Sequence, residues 1–421
     1  MQMRKRNGVI FLLLLVCFLC LTGCGATSAE ELYSLPKARA ADNNLQTVLS
    51  GILDEGYNYL APVSGSNQEP VQRADLDGDG TDEILVFLQN SGAGALQVDI
   101  LEADADVFSL SAVVECSGNA FGSVEYCDMS GDGGMEVLVT CQVSDAVTQA
   151  FTAFSFEEGS IRTLLSQACS RYALLDLNGD KLQDICLLTD HGDAGADITC
   201  CCVRGGIVWQ SSSTLGCACG AVTEIRNGTL VDGTQVILFE ENTDTGSAYE
   251  FFTLQGELLT SITPEKEIAS DAPGGPRDVD GDGDLEFPIE VTAFDGAVLE
   301  TKWCAMNDRG KLTDRARTLG AADESWYFIL PDAWGTDTKV ELSDAEEGMR
   351  EIRFLDNEKN LLMELYLLEG SDRRSDAESG GYMILYSDSE KIVAMDADSE
   401  SEGISLTEIS EYFHTGSAPE E

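Results

Sequence analysis

The sequence predicts a mainly β protein: a β-propeller of at least five repeats, followed by a C-terminal β-rich α+β domain or by degenerate blades. Three observations lead to this prediction. An acidic pattern of nine residues recurs about every fifty residues, an apolar strand-like run follows each copy, and turns divide each unit into four short strands. A fixed period near fifty with about four strands per unit is typical of propeller blades.

The composition limits the functions that the chain can have. It has 421 residues with 75 Asp and Glu, 25 Lys and Arg, and a formal net charge of −50. This length suffices for a repeat architecture and a smaller domain. Such an acidic surface repels phosphate groups, so no nucleic-acid partner is expected. The acidity serves solubility, and the regular spacing of many carboxylates also indicates cation binding.

The N-terminus predicts export and membrane anchoring. Three positive charges within Met1–Asn7 precede an apolar run, Val9–Leu21, which is shorter than the ~20 residues needed to cross a bilayer. Residues 1–23 are therefore predicted to be a signal peptide. Leu21-Thr-Gly-Cys24 resembles the lipobox of bacterial lipoproteins, which implies a lipid on Cys24 and an extracytoplasmic location at the bacterial cell membrane. An ordinary secretory peptide with an incidental Cys24 is the alternative.

Domain boundaries follow from composition and periodicity. Residues 24–44 are small and polar, and we expect a tether. Apolar residues recur at helical spacing over 45–60, so one amphipathic helix is predicted before the repeats, which extend to residue 320. Residues 321–421 contain strand-like runs and a short helical segment over Leu406–Phe413, and they form the predicted C-terminal domain.

The acidic pattern occurs in four clear copies, which we number loops 1, 2, 3 and 5. They are Asp75–Glu83, Asp128–Glu136, Asp176–Asp184 and Asp278–Glu286. The last spacing is about twice the others, which predicts a hidden loop 4 near residue 227. Asn227–Gln235 lies there and has lost most of the carboxylates, while its strand-like run, Val236–Phe239, remains.

The spacing of oxygen atoms within each loop predicts a Ca²⁺ site. Side chains at positions 1, 3, 5 and 9 offer oxygens, position 7 offers its backbone carbonyl, and small residues at positions 4 and 6 permit a tight curl. Several hard oxygen ligands suit Ca²⁺ better than Mg²⁺. The predicted ligands are Asp75, Asp77, Asp79, Thr81 and Glu83; Asp128, Ser130, Asp132, Gly134 and Glu136; Asp176, Asn178, Asp180, Leu182 and Asp184; and Asp278, Asp280, Asp282, Asp284 and Glu286.

Two alternatives compete with this interpretation. An EF-hand needs Glu at position 12 and flanking helices. Position 12 is instead apolar in every clear copy, being Val86, Val139, Leu187 or Ile289, so the EF-hand is disfavoured. An acidic turn without metal stays open, because Asp-Gly pairs also favour turns. We expect affinity to decline from loops 1 and 5 to loop 2 and then loop 3, where Asn178 and Lys181 replace preferred residues.

The loops also carry a family resemblance. An acidic loop followed by an apolar strand at this period resembles the FG-GAP/VCBS repeat of integrin-α-like β-propellers, over about residues 70–320. The Phe-Gly and Gly-Ala-Pro elements of that repeat are not clearly present. The chain is also similar to bacterial lipoproteins that join such repeats to a C-terminal Pro-x-x-Trp element, here Pro331–Trp334. The resemblance implies structural calcium on one rim, and it implies no activity.

Three functional hypotheses stay open at this point. The first is a non-catalytic binding, adhesion or envelope module that takes a glycan or protein ligand. The second is a polysaccharide- or cell-wall-acting enzyme with the repeats as a scaffold, and the third is an assembly role for residues 321–421. No catalytic residue is predicted, since the chain has only two histidines, His191 and His414, and neither belongs to a recognisable motif.

Overall fold

A computed structural model describes residues 40–104, 107–143, 148–294, 297–346, 348–396 and 408–416. The predicted signal peptide, Cys24 and most of the predicted tether lie outside these residues. Across the described ranges, no helix is both long enough and apolar enough to pass through a bilayer.

The described chain is mainly β, and its strands form antiparallel sheets that follow one another along the sequence. Sheet 1 contains β1 (Tyr57–Tyr59), β2 (Val71–Ala74), β3 (Glu83–Asn90), β4 (Leu96–Asp104) and β5 (Val107–Cys116). Sheet 2 contains β6 (Ala120–Cys127), β7 (Glu136–Gln142), β8 (Gln149–Glu157) and β9 (Ser160–Cys169). Sheet 3 contains β10 (Arg171–Leu175), β11 (Asp184–Asp190), β12 (Ala196–Arg204) and β13 (Ile207–Leu215).

The remaining sheets continue this order with some additions. Sheet 4 contains β14 (Val222–Thr229), β15 (Gln235–Thr243), β16 (Gly246–Gln255) and β17 (Leu258–Ile262). Sheet 5 contains β18 (Glu286–Ala293), β19 (Val298–Met306), β20 (Leu312–Ala321), β21 (Trp326–Ile329) and β27 (Phe413–Thr415). Sheet 6 contains β22 (Lys339–Glu346), β23 (Met349–Leu355), β24 (Leu361–Glu369), β25 (Tyr382–Ser387) and β26 (Lys391–Asp396). The helices are α1 (Ala40–Asp54), α2 (Arg373–Gly380) and α3 (Ile409–Tyr412).

Each acidic loop connects two antiparallel strands that are consecutive in the chain or, in sheet 5, a bridged residue and the strand that follows it. Loop 1 lies between β2 and β3, loop 2 between β6 and β7, and loop 3 between β10 and β11. In sheet 5 the first strand is reduced to one bridge, Arg277 to Glu286, on either side of loop 5. The predicted order of loop and then strand is therefore confirmed, and every clear loop has the same place in its sheet.

Successive sheets pack face to face through layers of apolar side chains. In β3, Leu85 and Phe87 pack against Phe121 and Val137 of sheet 2. Similar layers join sheet 2 to sheet 3, sheet 3 to sheet 4, sheet 4 to sheet 5 and sheet 5 to sheet 6. Because both faces of these inner strands are buried, the strands are continuously apolar instead of alternating.

Helices cover the outer faces of the first and last sheets. Leu45, Leu49 and Ile52 of α1 pack on the face of β3 that carries Ile84 and Val86. At the other end, Ala377 of α2 packs against Leu368, Ile392 and Ala394 of sheet 6. The described residues thus form a row of sheets with a helix at each end.

Three segments differ from the sequence prediction. The helix predicted over 45–60 begins at Ala40 and ends at Asp54, because Gly56 adopts a left-handed φ of 96° and the next residues pair with β3 as strand β1. Sequence analysis did not predict α2, which has a polar sequence and buries Ala377. Sheet 5 also continues past residue 320, since β21 pairs with β20.

Candidate metal centres

The carboxylate at position 1 organises the backbone of each clear loop. In loop 1, the backbone N–H groups of Gly78 and Gly80 donate to the two carboxylate oxygens of Asp75, at N···O distances of 2.9 and 3.0 Å. The N–H groups at positions 4 and 6 make the same two bonds to Asp128, Asp176 and Asp278. The four loops therefore share one curl, although their sequences differ.

The curl requires left-handed backbone at positions 4 and 6. In loop 1, Gly78 and Gly80 have φ angles of 75° and 86°. Glycine adopts this region without steric cost. Loop 3 is the exception, because Lys181 occupies position 6 with φ at 69°, where an L side chain is strained. Loop 3 thus keeps the conformation at a local cost.

The side chains at positions 3 and 5 accept hydrogen bonds from backbone N–H groups two residues later in the same loop. The N–H of Asp79 donates to Asp77 at 3.1 Å, and the N–H of Thr81 donates to Asp79 at 2.6 Å. Loop 5 repeats both bonds through Asp280 and Asp282. Each side chain uses one oxygen for its backbone bond, so its second oxygen is available for another partner.

Position 9 places a buried acid at the start of the second strand. Glu83, Glu136, Asp184 and Glu286 are only 3, 4, 1 and 0% exposed, respectively. Each accepts a hydrogen bond from the backbone N–H at position 2, at distances of 2.8, 2.6, 3.1 and 2.9 Å. Acids are rarely this buried without a partner of opposite charge.

The pKa values of the buried acids are raised, as expected for carboxylates that have no cation beside them. Burial is the largest cause, and it raises the pKa of Glu83, Asp184 and Glu286 to about 7. The neighbouring loop carboxylates add to this rise, and the pKa of Glu136 is raised for the same reasons. Asp184 Oδ1 and Glu286 Oε1 are buried and have no hydrogen-bond partner among the described residues. A cation in each of these two loops would bind the unpartnered oxygen and offset the repulsion between the loop carboxylates.

Two loops bring three carboxylates close enough to share one ion. Asp75, Asp77 and Glu83 each have an oxygen within 4.8 Å of the others, and the same holds for Asp278, Asp280 and Asp282. Acidic clusters that could hold a metal therefore exist in loops 1 and 5. Loops 2 and 3 keep the backbone frame with fewer carboxylates, since Ser130 and Asn178 occupy position 3.

Loop 4 is present as a shortened turn. The predicted copy began at Asn227, but Asn227 lies within β14, and the turn corresponding to the other loops runs from Thr229 to Gln235. Gln235 replaces the position-9 acid and donates through Nε2 to Thr229 Oγ1 at 3.0 Å. A neutral side-chain pair thus occupies the place of the carboxylates, and the segment between the paired strand ends is three residues shorter than in the acidic loops.

The loops lie beside one another in one row. The N–H of Met135 in loop 2 donates to the Asp75 carbonyl of loop 1 at 3.1 Å. Leu182 of loop 3 packs beside Gly131 of loop 2, and the side chain of Asn227 donates to the Asp176 carbonyl at 3.1 Å. The N–H of Leu285 in loop 5 donates to the Thr229 carbonyl at 2.8 Å. Each loop therefore contacts the next.

One arginine enters the candidate centre of loop 5. Arg315 of β20 forms ion pairs with Asp280, at an Nε–Oδ2 distance of 2.8 Å, and with Asp282. The sequence contained no signal for this contact, because Arg315 lies 33 residues after Asp282.

Another cluster, outside the acidic loops, was also missed by sequence analysis. Cys217, Glu241 and Glu250 approach one another and are each half-buried. The N–H of Gly216 donates to Glu250 at 2.7 Å, and burial together with a hydrogen bond shared with Glu241 raises the pKa of Glu250 to about 7. The three residues come from different strands and turns, so no sequence spacing marks them.

The other residues noted from sequence have ordinary structural roles. The described cysteines are free and mostly buried, as expected for small core side chains. Trp326 is 1% exposed and packs in the core, and Trp334 packs against Phe328 and Phe354. His191 forms an exposed contact with Asp197 at 2.9 Å.

Comparison with known proteins adds no family assignment. No family model and no curated protein matches the chain. Among solved structures, an exotype rhamnogalacturonan lyase has 12% identity and a TM-score of 0.23, covering 72% of this chain and 62% of its own. A Bacillus licheniformis rhamnogalacturonan lyase has 11% identity and a TM-score of 0.27, with 82% and 92% covered. The β-propeller domain of the Trilobed protease from Pyrococcus furiosus has 10% identity and a TM-score of 0.20, with 72% and 89% covered. Matches this distant carry no functional argument.

Proposed function

We propose that this chain is an exported, lipid-anchored protein in which loops 1, 2, 3 and 5 hold Ca²⁺ as a structural element. Its role is that of a non-catalytic binding or adhesion module at the bacterial cell envelope. The observation that carries the proposal is the common loop frame: four loops share the same backbone curl, and each buries an acid at position 9.

The choice of cation follows from ligand chemistry. The loops offer carboxylate, amide and carbonyl oxygens and no cluster of histidine or cysteine, which favours a hard cation over zinc. Ca²⁺ accepts six to eight oxygens in flexible geometry, whereas Mg²⁺ demands a strict octahedron and keeps more water. A curl whose ligands differ between copies, such as Ser130 against Asp77, therefore suits Ca²⁺ better.

Calcium in this position stabilises the junction between two strands. The position-1 acid follows the first strand and the position-9 acid begins the second, so an ion between them holds the sheet closed at that end. A ligand that binds only the folded state stabilises it by mass action. Because the loops contact one another, the ions stiffen a whole edge of the molecule.

We propose that the sheets are blades of a propeller-like arrangement, with α1 and α2 at its two ends. The apolar layer between each pair of successive sheets supports this arrangement. The loop edge then presents a rigid rim to a glycan or protein ligand outside the cell. The lipid on Cys24 is proposed from the sequence, and substituting Cys24→Ser should abolish incorporation of a labelled fatty acid.

Calcium titration of the processed chain, residues 24–421 with Cys24→Ser, tests the proposal. Isothermal titration after chelator treatment should show saturable Ca²⁺ binding and weaker Mg²⁺ binding. Each of Glu83→Gln, Glu136→Gln, Asp184→Asn and Glu286→Gln should remove or weaken one site. Glu358→Gln, an exposed acid outside the loops, is the matched control and should leave binding unchanged. Absence of Ca²⁺ binding at millimolar concentration would refute the proposal.

A further inference from the structure

Arg315 occupies an irregular position that directs its side chain toward loop 5. It lies on β20, where Trp303 pairs with Ala316 and Cys304 pairs with Asp314, so Arg315 is the extra residue of a β-bulge. Bulges leave one residue unpaired and re-aim its side chain. The backbone thus presents the guanidinium to a loop that begins 37 residues earlier in the chain.

The guanidinium contacts the carboxylates at positions 3 and 5. Its Nε lies 2.8 Å from Asp280 Oδ2, and its Nη2 contacts Asp282 Oδ2. Both acids are among the ligands proposed for Ca²⁺. In loop 1, the corresponding acids Asp77 and Asp79 form no ion pair within the described ranges of the chain, although the backbone frame is the same.

The arginine leaves the innermost acid of loop 5 unsatisfied. Glu286 is fully buried, one of its oxygens accepts the N–H of Val279, and Oε1 has no hydrogen-bond partner among the described residues. A metal ion shared by Asp278, Asp280 and Asp282, whose nearest oxygens lie within 4.8 Å of one another, would compete with the guanidinium for the last two. The guanidinium therefore neutralises the outer carboxylates and does not complete the site.

An Arg315 side chain displaced from loop 5 can enter a neighbouring cleft. It also lines a cleft of about 490 Å³ between sheet 5 and the segment around Asp332, and its side chain is 41% exposed. Asp314 and Asp332 line the same cleft and offer other carboxylates. Lys266, Lys302 and Arg317 also line the cleft, and the last two are paired with Glu290 and Glu300, so a displaced guanidinium would enter a surface of mixed charge.

We propose that Arg315 is an internal competitor of Ca²⁺ at loop 5, which makes this loop fill after loop 1 as calcium rises. The inference rests on the proposed calcium function. It separates loops 1 and 5, which the sequence expectation ranked together above loops 2 and 3, and it gives the molecule one site that responds at higher calcium concentration. Binding at loop 5 then moves Arg315 into the cleft, so the charge of the cleft depends on calcium.

Two backgrounds of the processed chain isolate the two loops. Asp132→Ala and Asp180→Ala disable loops 2 and 3 in both. The loop 5 background adds Asp77→Ala and Asp79→Ala, and the loop 1 background adds Asp280→Ala and Asp282→Ala. Arg315→Gln, Arg315→Lys and the control Arg309→Gln are then placed in each. Arg309 is 86% exposed and lies in the turn before β20, so its substitution removes a nearby charge without touching the loop.

Calcium dissociation constants and thermal shifts are measured for every variant. Arg315→Gln should tighten Ca²⁺ binding roughly tenfold in the loop 5 background, because a unit charge next to a divalent ion in a largely solvated site is removed. It should leave the loop 1 background unchanged. Arg315→Lys keeps the charge and loses the two-pronged geometry, so an intermediate affinity is expected. Arg309→Gln should have no effect in either background.

The outcomes separate the inference from the proposed function. If loop 1 binds calcium and Arg315→Gln does not tighten loop 5, the competitor role is wrong and the calcium function stands. An equal gain from Arg309→Gln also overturns the competitor role, since it would show a general charge effect. If neither background binds calcium, the proposed function fails together with the inference.

Discussion

At the scale of single residues, the buried position-9 acids are expected to determine how the loops respond to pH and to calcium. Their side chains are buried beside other carboxylates, and the backbone N–H at position 2 is the main group that compensates them. Sequence spacing predicted that these residues are ligands. It did not show that Glu286 and Asp184 are almost completely buried, because burial depends on the neighbouring sheets.

Calcium-free protein should lose stability as pH rises from about 4.5 to about 7. In this window the folded protein retains protons on Glu83 and Glu286, whose pKa values are raised from 4.5 to about 7, while the unfolded chain has released them. The free energy of unfolding then falls with pH. Bound calcium keeps these groups ionised, so the difference in melting temperature between calcium and chelator should grow from pH 5 to pH 8. A constant difference across this range would contradict the assignment.

The substitution Lys181→Gly should strengthen loop 3. It removes a side chain held at a φ of 69° and also removes a positive charge from the curl. We expect a stability gain of about 1 kcal/mol and tighter calcium binding. Lys359 has a φ of 68° in a turn outside the loops, so Lys359→Gly is the matched control. It should stabilise the protein without changing calcium affinity, and an equal affinity change in both variants would refute the role of Lys181.

At the scale of elements, the sequence predicted the strands that have a local hydrophobic pattern. It missed strand β1, which forms only through pairing with a neighbouring strand. The strands after the acidic loops were predicted because burial on both faces makes them continuously apolar. Strand β1 was missed because Tyr57–Tyr59 continues the helical spacing of α1 and becomes a strand only by pairing with β3. The predicted start of loop 4 was displaced by three residues, since the period alone cannot detect a shortened turn.

The apolar layer between sheets 1 and 2 can be tested with a single substitution. Phe87 is fully buried there and contacts Phe121 edge to face, with ring centroids 5.1 Å apart. Phe87→Ala should lower the free energy of unfolding by about 3–5 kcal/mol, as measured by urea denaturation. Val107→Ala, at a side chain that is 57% exposed, should change it little. A small effect of Phe87→Ala would contradict the packing of these sheets.

At the scale of the whole molecule, the acidic loops follow one another in the same order as the sheets to which they belong. Each loop closes one end of a sheet, and contacts such as Met135 to Asp75 and Leu285 to Thr229 join neighbouring loops. The repeat period predicted this order. It did not predict that sheet 5 continues into β21 and β27, because these strands come from outside the repeats and join only through backbone pairing.

Whether the loops hold calcium can be seen in a crystal structure of the processed chain grown with calcium, with the ions located by anomalous scattering. The proposed calcium function predicts an ion in each of loops 1, 2, 3 and 5, with oxygen ligands at about 2.3–2.6 Å, a position-9 acid on each ion, and none in the turn Thr229–Gln235. Acidic loops that keep this curl but hold only water at millimolar calcium would contradict it.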